Sequence, residues 1–126
     1  MRLRLLVLFA ALLAIPALAA DISGTWQFSV DLDGGGHGDP TFVLKQAGAK
    51  ITGTFKNPQG ESPVTGTLTG NAIKLERKGE RDGQAFTATY AGKVDAPDKM
   101  SGTVTFSGGG GTGKWTATRN ATSKKK

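Results

Sequence analysis

The stretch Ile22-Ser23-Gly24-Thr25-Trp26-Gln27-Phe28-Ser29-Val30 decides the fold, because apolar and polar side chains alternate along it. Successive side chains of a β-strand point to opposite faces, so Ile22, Trp26, Phe28 and Val30 share one face. Such alternation predicts a strand that buries one face and leaves the other in water.

Seven further stretches alternate in the same way, and no stretch of useful length has a helical period. They cover residues 42–44, 51–56, 64–69, 73–76, 86–90, 100–106 and 114–119. Gly, Asn, Asp and Pro mark turns at residues 47–49, 57–60, 70–71, 82–83, 95–98 and 108–111. Short connections favour antiparallel neighbours, and closing the sheet removes its open edges. The sequence therefore predicts an all-β fold, an eight-stranded antiparallel up-and-down β-barrel, with a two-sheet sandwich as the alternative.

One short pattern, apolar–Ser/Thr–Gly–Thr–apolar, occurs four times and places Gly24, Gly53, Gly66 and Gly102 on the apolar faces of their strands. Glycine weakens a strand interior unless a sharp bend or a close backbone approach requires it. We predict that these glycines are the bends of a small barrel. The alternative is that the missing side chains leave a cavity.

The first 20 residues resemble a cleavable signal peptide. Arg2 and Arg4 precede an apolar run from residue 5 to 15, and Pro16 and small residues follow it. The run is shorter than the roughly 20 residues that a membrane-spanning helix needs. We predict a signal peptide over 1–20, a barrel domain over 21–120 and a disordered basic tail over 121–126. The chain would be exported by a bacterium, periplasmic or secreted, with no membrane span in its mature form.

Charge and composition exclude several classes of function. The chain has a net charge of +6, but 11 basic and 10 acidic residues lie between Asp21 and Ser123, a net of +1. Nucleic-acid binding needs clustered basic residues, so no nucleic-acid partner is expected. The chain has no cysteine, which excludes disulfides, thiolate metal sites and a lipoprotein anchor.

Chemistry-bearing residues are sparse, and we predict neither an enzyme nor a cofactor. The only histidine, His37, lies in the loop Asp31–Asp39 with three carboxylates. As a calcium loop it lacks the glutamate expected at position 12, where Phe42 stands. A serine nucleophile would need an imidazole base, and only His37 could serve. A solvated hairpin loop is the simpler interpretation, so no metal site is predicted.

Gly24-Thr25-Trp26 on the first strand and Arg119 on the last resemble the structural signature of the calycin barrels: lipocalins, fatty-acid-binding proteins and avidins. The resemblance implies that Arg119 lies across Trp26 at the closed end, where a cation–π contact would link the first strand to the last. The opening strands are similar to those of avidins, although two tryptophans are too few for a biotin pocket. The chain also resembles small exported bacterial proteins with Gly-Thr-rich strands.

These observations favour a non-enzymatic binding protein that holds a small hydrophobic or amphipathic ligand inside the barrel. Arg77, in the apolar phase of its strand, would line the mouth with Gln46 and could hold a ligand carboxylate, or it could simply mark a strand end leaving the barrel. The alternative function is a filled-core module that binds a partner protein or glycan through its loops or outer surface. The predicted ligand contacts are Phe28, Phe42, Leu44, Phe55, Leu75, Arg77, Phe86, Tyr90, Phe106 and Trp115.

Overall fold

The computed structural model describes residues 21–119. The predicted signal peptide and basic tail lie outside these residues. Every regular element between residues 21 and 119 is a β-strand, and none of these residues forms a helix long and apolar enough to cross a bilayer. The strands are β1 (Gly24–Leu32), β2 (His37–Gly38), β3 (Thr41–Ala47), β4 (Lys50–Asn57), β5 (Gly60–Thr69), β6 (Ala72–Arg81), β7 (Gln84–Ala96), β8 (Lys99–Phe106) and β9 (Gly111–Arg119).

The strands close into an antiparallel barrel. Each of β3 to β8 pairs with the next strand along the chain, and β1 pairs with both β3 and β9. The two-residue β2 pairs with Val30 and Asp31 of β1, beyond the end of the β1–β3 ladder. Since β2 and β3 together occupy one position in the wall, the barrel has eight strands. The predicted eight-stranded barrel is confirmed, and the sandwich alternative is wrong.

The alternation in the sequence sets the inside and the outside of this barrel. One cluster of buried apolar residues fills it, and it includes every apolar residue of the inward phase of β1 up to Val30. The predicted turns are all present, but β6 and β7 extend well beyond the predicted stretches 73–76 and 86–90. Charged side chains in the second half of β6 hid the continuation of that strand.

Glycines allow neighbouring strands to approach closely. Gly92 of β7 lies opposite Gly102 of β8. A Cβ on Gly102 would lie 2.0 Å from the carbonyl oxygen of Ala91, and one on Gly92 would lie 1.9 Å from that of Ser101. No side chain fits there, so close backbone approach requires glycine at both positions. Gly53 and Gly66 show the same 2.0 Å approach to a neighbouring carbonyl oxygen.

The closed end of the barrel lies where β1 begins and β9 ends. The guanidinium carbon of Arg119 is 4.9 Å from the centre of the Trp26 ring, which is fully buried. Gly24 contacts this arginine with a φ of +134°, a backbone conformation that side chains other than glycine rarely adopt. The arginine also donates hydrogen bonds to the carbonyl oxygens of Ser23, Asp21 and Pro97. This end is therefore sealed by a well-paired cation over an aromatic face.

Candidate binding site at the barrel mouth

The centre of the barrel is filled with aromatic rings. Phe28 stacks on Phe42 at 4.0 Å between centroids and on Trp115 at 4.9 Å. Tyr90 meets Phe42 edge-on at 5.2 Å and Phe28 at 5.8 Å. Such distances are those of packed aromatic pairs. Six of the ten predicted ligand contacts lie in this packed centre, each at most 2% exposed: Phe28, Phe42, Leu44, Leu75, Tyr90 and Trp115.

At the opposite end, which we call the mouth, the wall separates between β5 and β6. The β5–β6 ladder runs from the turn only as far as Val64 and Arg77. In contrast, the β4–β5 ladder continues to Asn57 and Gly60, and the β6–β7 ladder continues to the Arg81–Gln84 backbone pair. Two hairpins therefore diverge beyond Arg77 and leave a gap in the wall.

Pro63 explains why the ladder ends there. Thr69 and Ala72 flank the two-residue turn of the β5–β6 hairpin, so the odd-numbered residues of β5 direct their backbone groups toward β6. One position beyond the last pair, Pro63 would face Lys78. Proline has no backbone N–H to donate, so the ladder cannot continue through this position.

The gap opens into a cleft of about 800 Å³, the mouth cleft. Its lining combines apolar rings, a cation and short polar side chains. A second cleft of about 480 Å³ shares Ala85 and Phe86 with it and is also lined by Leu32, Phe106 and residues of the turn after β8. The mouth cleft is lined by Phe55, Asn57, residues 59–62, residues 77–80, Ala85 and Phe86.

Arg77 is the central side chain of the mouth cleft. Its guanidinium carbon lies 3.8 Å from the centre of the Phe55 ring and 5.2 Å from that of Phe86. Its Nε is buried and has no hydrogen-bond partner. Within residues 21–119 no carboxylate forms an ion pair with it. A half-buried cation between two aromatic faces, with donor capacity unused, is suited to an anionic ligand group.

Gly79 provides the space that this cation occupies. A Cβ at Gly79 would lie 2.7 Å from Arg77 Nη1 and 2.9 Å from Phe86 Cζ. Gly79 pairs with Phe86 across the β6–β7 ladder, two residues along β6 from Arg77. Any side chain at Gly79 would therefore displace the guanidinium, the Phe86 ring, or both.

Tyr90 belongs to the packed layer next to the mouth, because it pairs with Leu75, two residues deeper along β6 than Arg77. Burial raises the pKa of the Tyr90 hydroxyl above its ordinary value of 10.0, and the charge of Arg77 and a hydrogen bond with it act in the opposite direction. The hydroxyl therefore stays protonated at neutral pH.

The structure brings four of the predicted ligand contacts to the mouth: Phe55, Arg77, Phe86 and Phe106. The placement of Gln46 at the mouth is wrong, because Gln46 lies at the closed end. There its side chain accepts a hydrogen bond from the backbone of Ile22 at 2.8 Å and donates one to the Gly48 carbonyl at 2.9 Å. β3 runs away from the mouth, so its last residues reach the closed end.

Most residues that line the mouth cleft were not predicted from the sequence, and three of them are Asn57, Ser62 and Gly79. Each lies two residues from an inward-facing residue of its strand, outside the stretch that the sequence predicted. Asn57 follows Phe55 in this way, and Gly79 follows Arg77. Extending the period-two pattern to the turn residues would have found them. Their polar or missing side chains concealed the pattern.

The loop between β1 and β3 carries His37. Its Nδ1 lies 2.8 Å from Asp31 Oδ1 and its Nε2 lies 2.9 Å from Asp39 Oδ1. These two carboxylates, Asp31 first, raise the pKa of the exposed imidazole above 6.5. Within residues 21–119 no group of three or more His, Asp or Glu side chains is arranged to hold a metal ion. The two carboxylates that a cation would need are already hydrogen-bonded to the ring nitrogens of His37.

Comparisons with known proteins indicate the fold. No protein-family model matches the chain, and no curated protein sequence matches it significantly. It is similar in structure to a de novo designed fluorescence-activating β-barrel, at 19% identity and a TM-score of 0.62 over 78% of this chain and 93% of that one. It is also similar to the redesigned β-barrel b11L5F_LGL (14%, TM-score 0.62, 83% and 99%) and to the redesigned barrel mFAP0 bound to DFHBI (13%, TM-score 0.60, 79% and 98%). These likenesses show a small β-barrel.

Proposed function

We propose that this protein is an exported, non-enzymatic binding protein that holds a small amphipathic ligand in the mouth cleft of its β-barrel. The observation that carries the proposal is Arg77, a half-buried cation between Phe55 and Phe86 whose Nε has no partner. An unpaired buried donor is costly, and a bound anionic group would remove that cost.

The mouth, rather than the centre, is the proposed location because rings occupy the centre. Ligand sites are usually clefts lined by apolar side chains with a few polar groups that fix the orientation. The mouth cleft has that composition. The similar barrel mFAP0 is bound to DFHBI, which supports the view that a barrel of this size can accommodate a small ligand.

The absence of catalysis and the export of the chain are parts of the same proposal. His37 is held between two aspartates on an exposed loop, so no imidazole base faces the cleft. Export rests on the pattern of the first 20 residues, and it is tested by sequencing the N-terminus of the protein recovered from the periplasm or medium. A start at or next to Asp21 is expected, and a retained Met1 would contradict export.

A second candidate function is an interaction module that binds a protein or glycan through its outer surface. The packed centre favours it, since a filled barrel needs no ligand to be complete. On that view Arg77 would only close the mouth, and removing it would not change what the protein binds.

Native mass spectrometry of the protein purified from its own exported compartment tests the proposal. We expect an additional small-molecule mass on the wild type that is lost from Arg77→Met. Lys74→Met is the matched control, because Lys74 lies on the same strand but on the exposed outer face, and it should retain the mass. Bare wild-type protein under gentle conditions would contradict the proposal and favour the interaction module.

A further inference from the structure

We infer that the ligand of the mouth cleft is a compact aromatic carboxylate of one or two fused rings, and not a long-chain lipid. The inference rests on the proposed function and specifies the chemical class of its ligand. It follows from the charge, the shape and the depth of the mouth cleft.

The charge of the cleft selects a carboxylate. The guanidinium of Arg77 presents a planar set of donors that matches the two oxygens of a carboxylate. Of the two glutamates that line the cleft, Glu61 lies 4.0 Å from Lys56 in an exposed ion pair, and Glu80 is exposed on the outward phase of β6. Neither pairs with Arg77, so a carboxylate from outside would meet little competition there.

The shape of the cleft selects a flat body. Phe55 lies against one side of the guanidinium and Phe86 lies farther away on β7. The guanidinium and the Phe86 ring pack closely over Gly79, where a Cβ would lie 2.7 Å from Arg77 Nη1 and 2.9 Å from Phe86 Cζ. A planar ring can contact aromatic faces over its whole area, and such contacts add to the gain from buried area.

The depth of the cleft excludes a long chain. Tyr90, in the packed layer next to the mouth, is only 2% exposed, and its ring packs against Phe42 and Phe28 at 5.2 and 5.8 Å. An alkyl chain entering the barrel would have to displace this layer, and opening a packed core is costly. A compact ligand needs no such displacement, since the divergence of β5 and β6 admits it from the side.

Isothermal titration with three probes tests the inference: 2-naphthoate, its neutral counterpart 2-naphthylmethanol, and palmitate. We expect 2-naphthoate to bind the wild type at least tenfold more tightly than either other probe. Arg77→Met should abolish the preference over 2-naphthylmethanol, whereas Lys74→Met should keep it. Circular dichroism of each variant checks that the barrel is folded.

Gly79→Ala is an independent variant that leaves every charge in place. Its added Cβ would displace Arg77 Nη1, so 2-naphthoate should bind several-fold more weakly. Gly34→Ala is its control, because no atom lies within 4 Å of a Cβ there and φ is not positive. Amide NMR shifts on adding 2-naphthoate should be largest at residues 60–62 and 78–80, and shifts confined to the His37 loop would overturn the location.

The outcomes separate the inference from the proposed function. Tight palmitate binding with weak 2-naphthoate binding would overturn the inference and leave the proposed function intact. Equal binding of 2-naphthoate and 2-naphthylmethanol would overturn the role of the carboxylate. If none of the probes binds, the native mass spectrum decides between the two. A co-purified ligand of other chemistry would overturn the inference but not the proposed function, and bare protein would overturn the inference and the proposed function.

Discussion

The two ends of the barrel each place an arginine on an aromatic ring, but they differ in what else the arginine contacts. At the closed end, Arg119 covers Trp26 and donates hydrogen bonds to three backbone carbonyls. At the mouth, Arg77 lies on Phe55 and leaves its Nε without a partner. Both arginines therefore make a cation–π contact, but the hydrogen-bond donors of Arg119 are used within the fold, whereas Arg77 keeps a donor that has no partner.

The strands around the two arginines differ in the same way. At the closed end β8 and β9 remain paired to Lys99 and Thr118, and β1 pairs with β9 up to Trp26 and Arg119. At the mouth the β5–β6 ladder stops at Arg77. Ligand-binding regions are often the less completely bonded parts of a protein, because unused hydrogen-bonding capacity and local mobility are needed there. The comparison predicts that the closed end stabilises the fold and that the mouth contributes little to stability.

The largest expected effect is that of removing the closed-end indole. Trp26→Ala should lower the free energy of unfolding by about 3–5 kcal/mol, because it empties a fully buried ring site and removes the bond from Nε1 to the Ile22 carbonyl. Phe106→Ala, at the half-exposed mouth, should cost about 1–2 kcal/mol, since less apolar area is lost there. Urea denaturation of the two variants, analysed at a fixed m-value, measures both losses in the free energy of unfolding. Equal losses would contradict the view that the closed end stabilises the fold more than the mouth does.

The two arginines provide the next test. Arg119→Met should lower the free energy of unfolding by about 2–3 kcal/mol, because three carbonyl groups lose a charged donor. Arg77→Met should change it by less than about 1 kcal/mol in either direction, because the methionine removes an unpaired buried donor and keeps the apolar contact. A loss at Arg77 as large as that at Arg119 would show that the mouth arginine is mainly structural.

The sequence predicts the closed end better than the mouth, and the reason is physical. Trp26 and Arg119 lie on strands with clear alternation, and their contact is what the resemblance of Gly24-Thr25-Trp26 and Arg119 to the calycin signature implies. At the mouth the inward positions are held by Arg77, Gly79 and Asn57, which are not apolar, so only extending the parity of the neighbouring apolar stretches identifies them. Arg77 could be found because its parity matches Leu75.

The end of the barrel at which a residue lies depends on strand direction and length together. Gln46 follows the inward parity of Leu44, as Arg77 follows that of Leu75, and yet the two lie at opposite ends. The gap beside Pro63 also depends on the register between β5 and β6. Period and composition do not fix that register, so the mouth cleft had to come from the structure.

A smaller effect is expected where two strands approach most closely. Gly102→Ala should lower the free energy of unfolding by about 1–3 kcal/mol, because its Cβ would meet the Ala91 carbonyl oxygen at 2.0 Å and the backbone must move. Gly34→Ala, in an open loop, is the matched control and should be nearly neutral. Thermal unfolding of the pair measures the difference. If Gly102→Ala is as stable as Gly34→Ala, close strand approach does not limit this fold.

The smallest expected effect concerns His37, which belongs to neither the closed end nor the mouth cleft. Its folded-state pKa should lie above 6.5, because Asp31 and Asp39 stabilise the imidazolium. Since this pKa is raised relative to the unfolded chain, the stabilisation is complete below pH 6.5 and is lost as the pH rises through the folded-state value. An NMR titration of the His37 ring protons measures this pKa. Asp31→Asn should lower the midpoint more than Asp39→Asn, because the hydrogen bond to Asp31 raises the pKa most. Asp33→Asn should leave the midpoint unchanged, because Asp33 accepts a hydrogen bond from Thr112 instead. A wild-type midpoint at or below 6.5 would mean that the loop does not hold this geometry in solution.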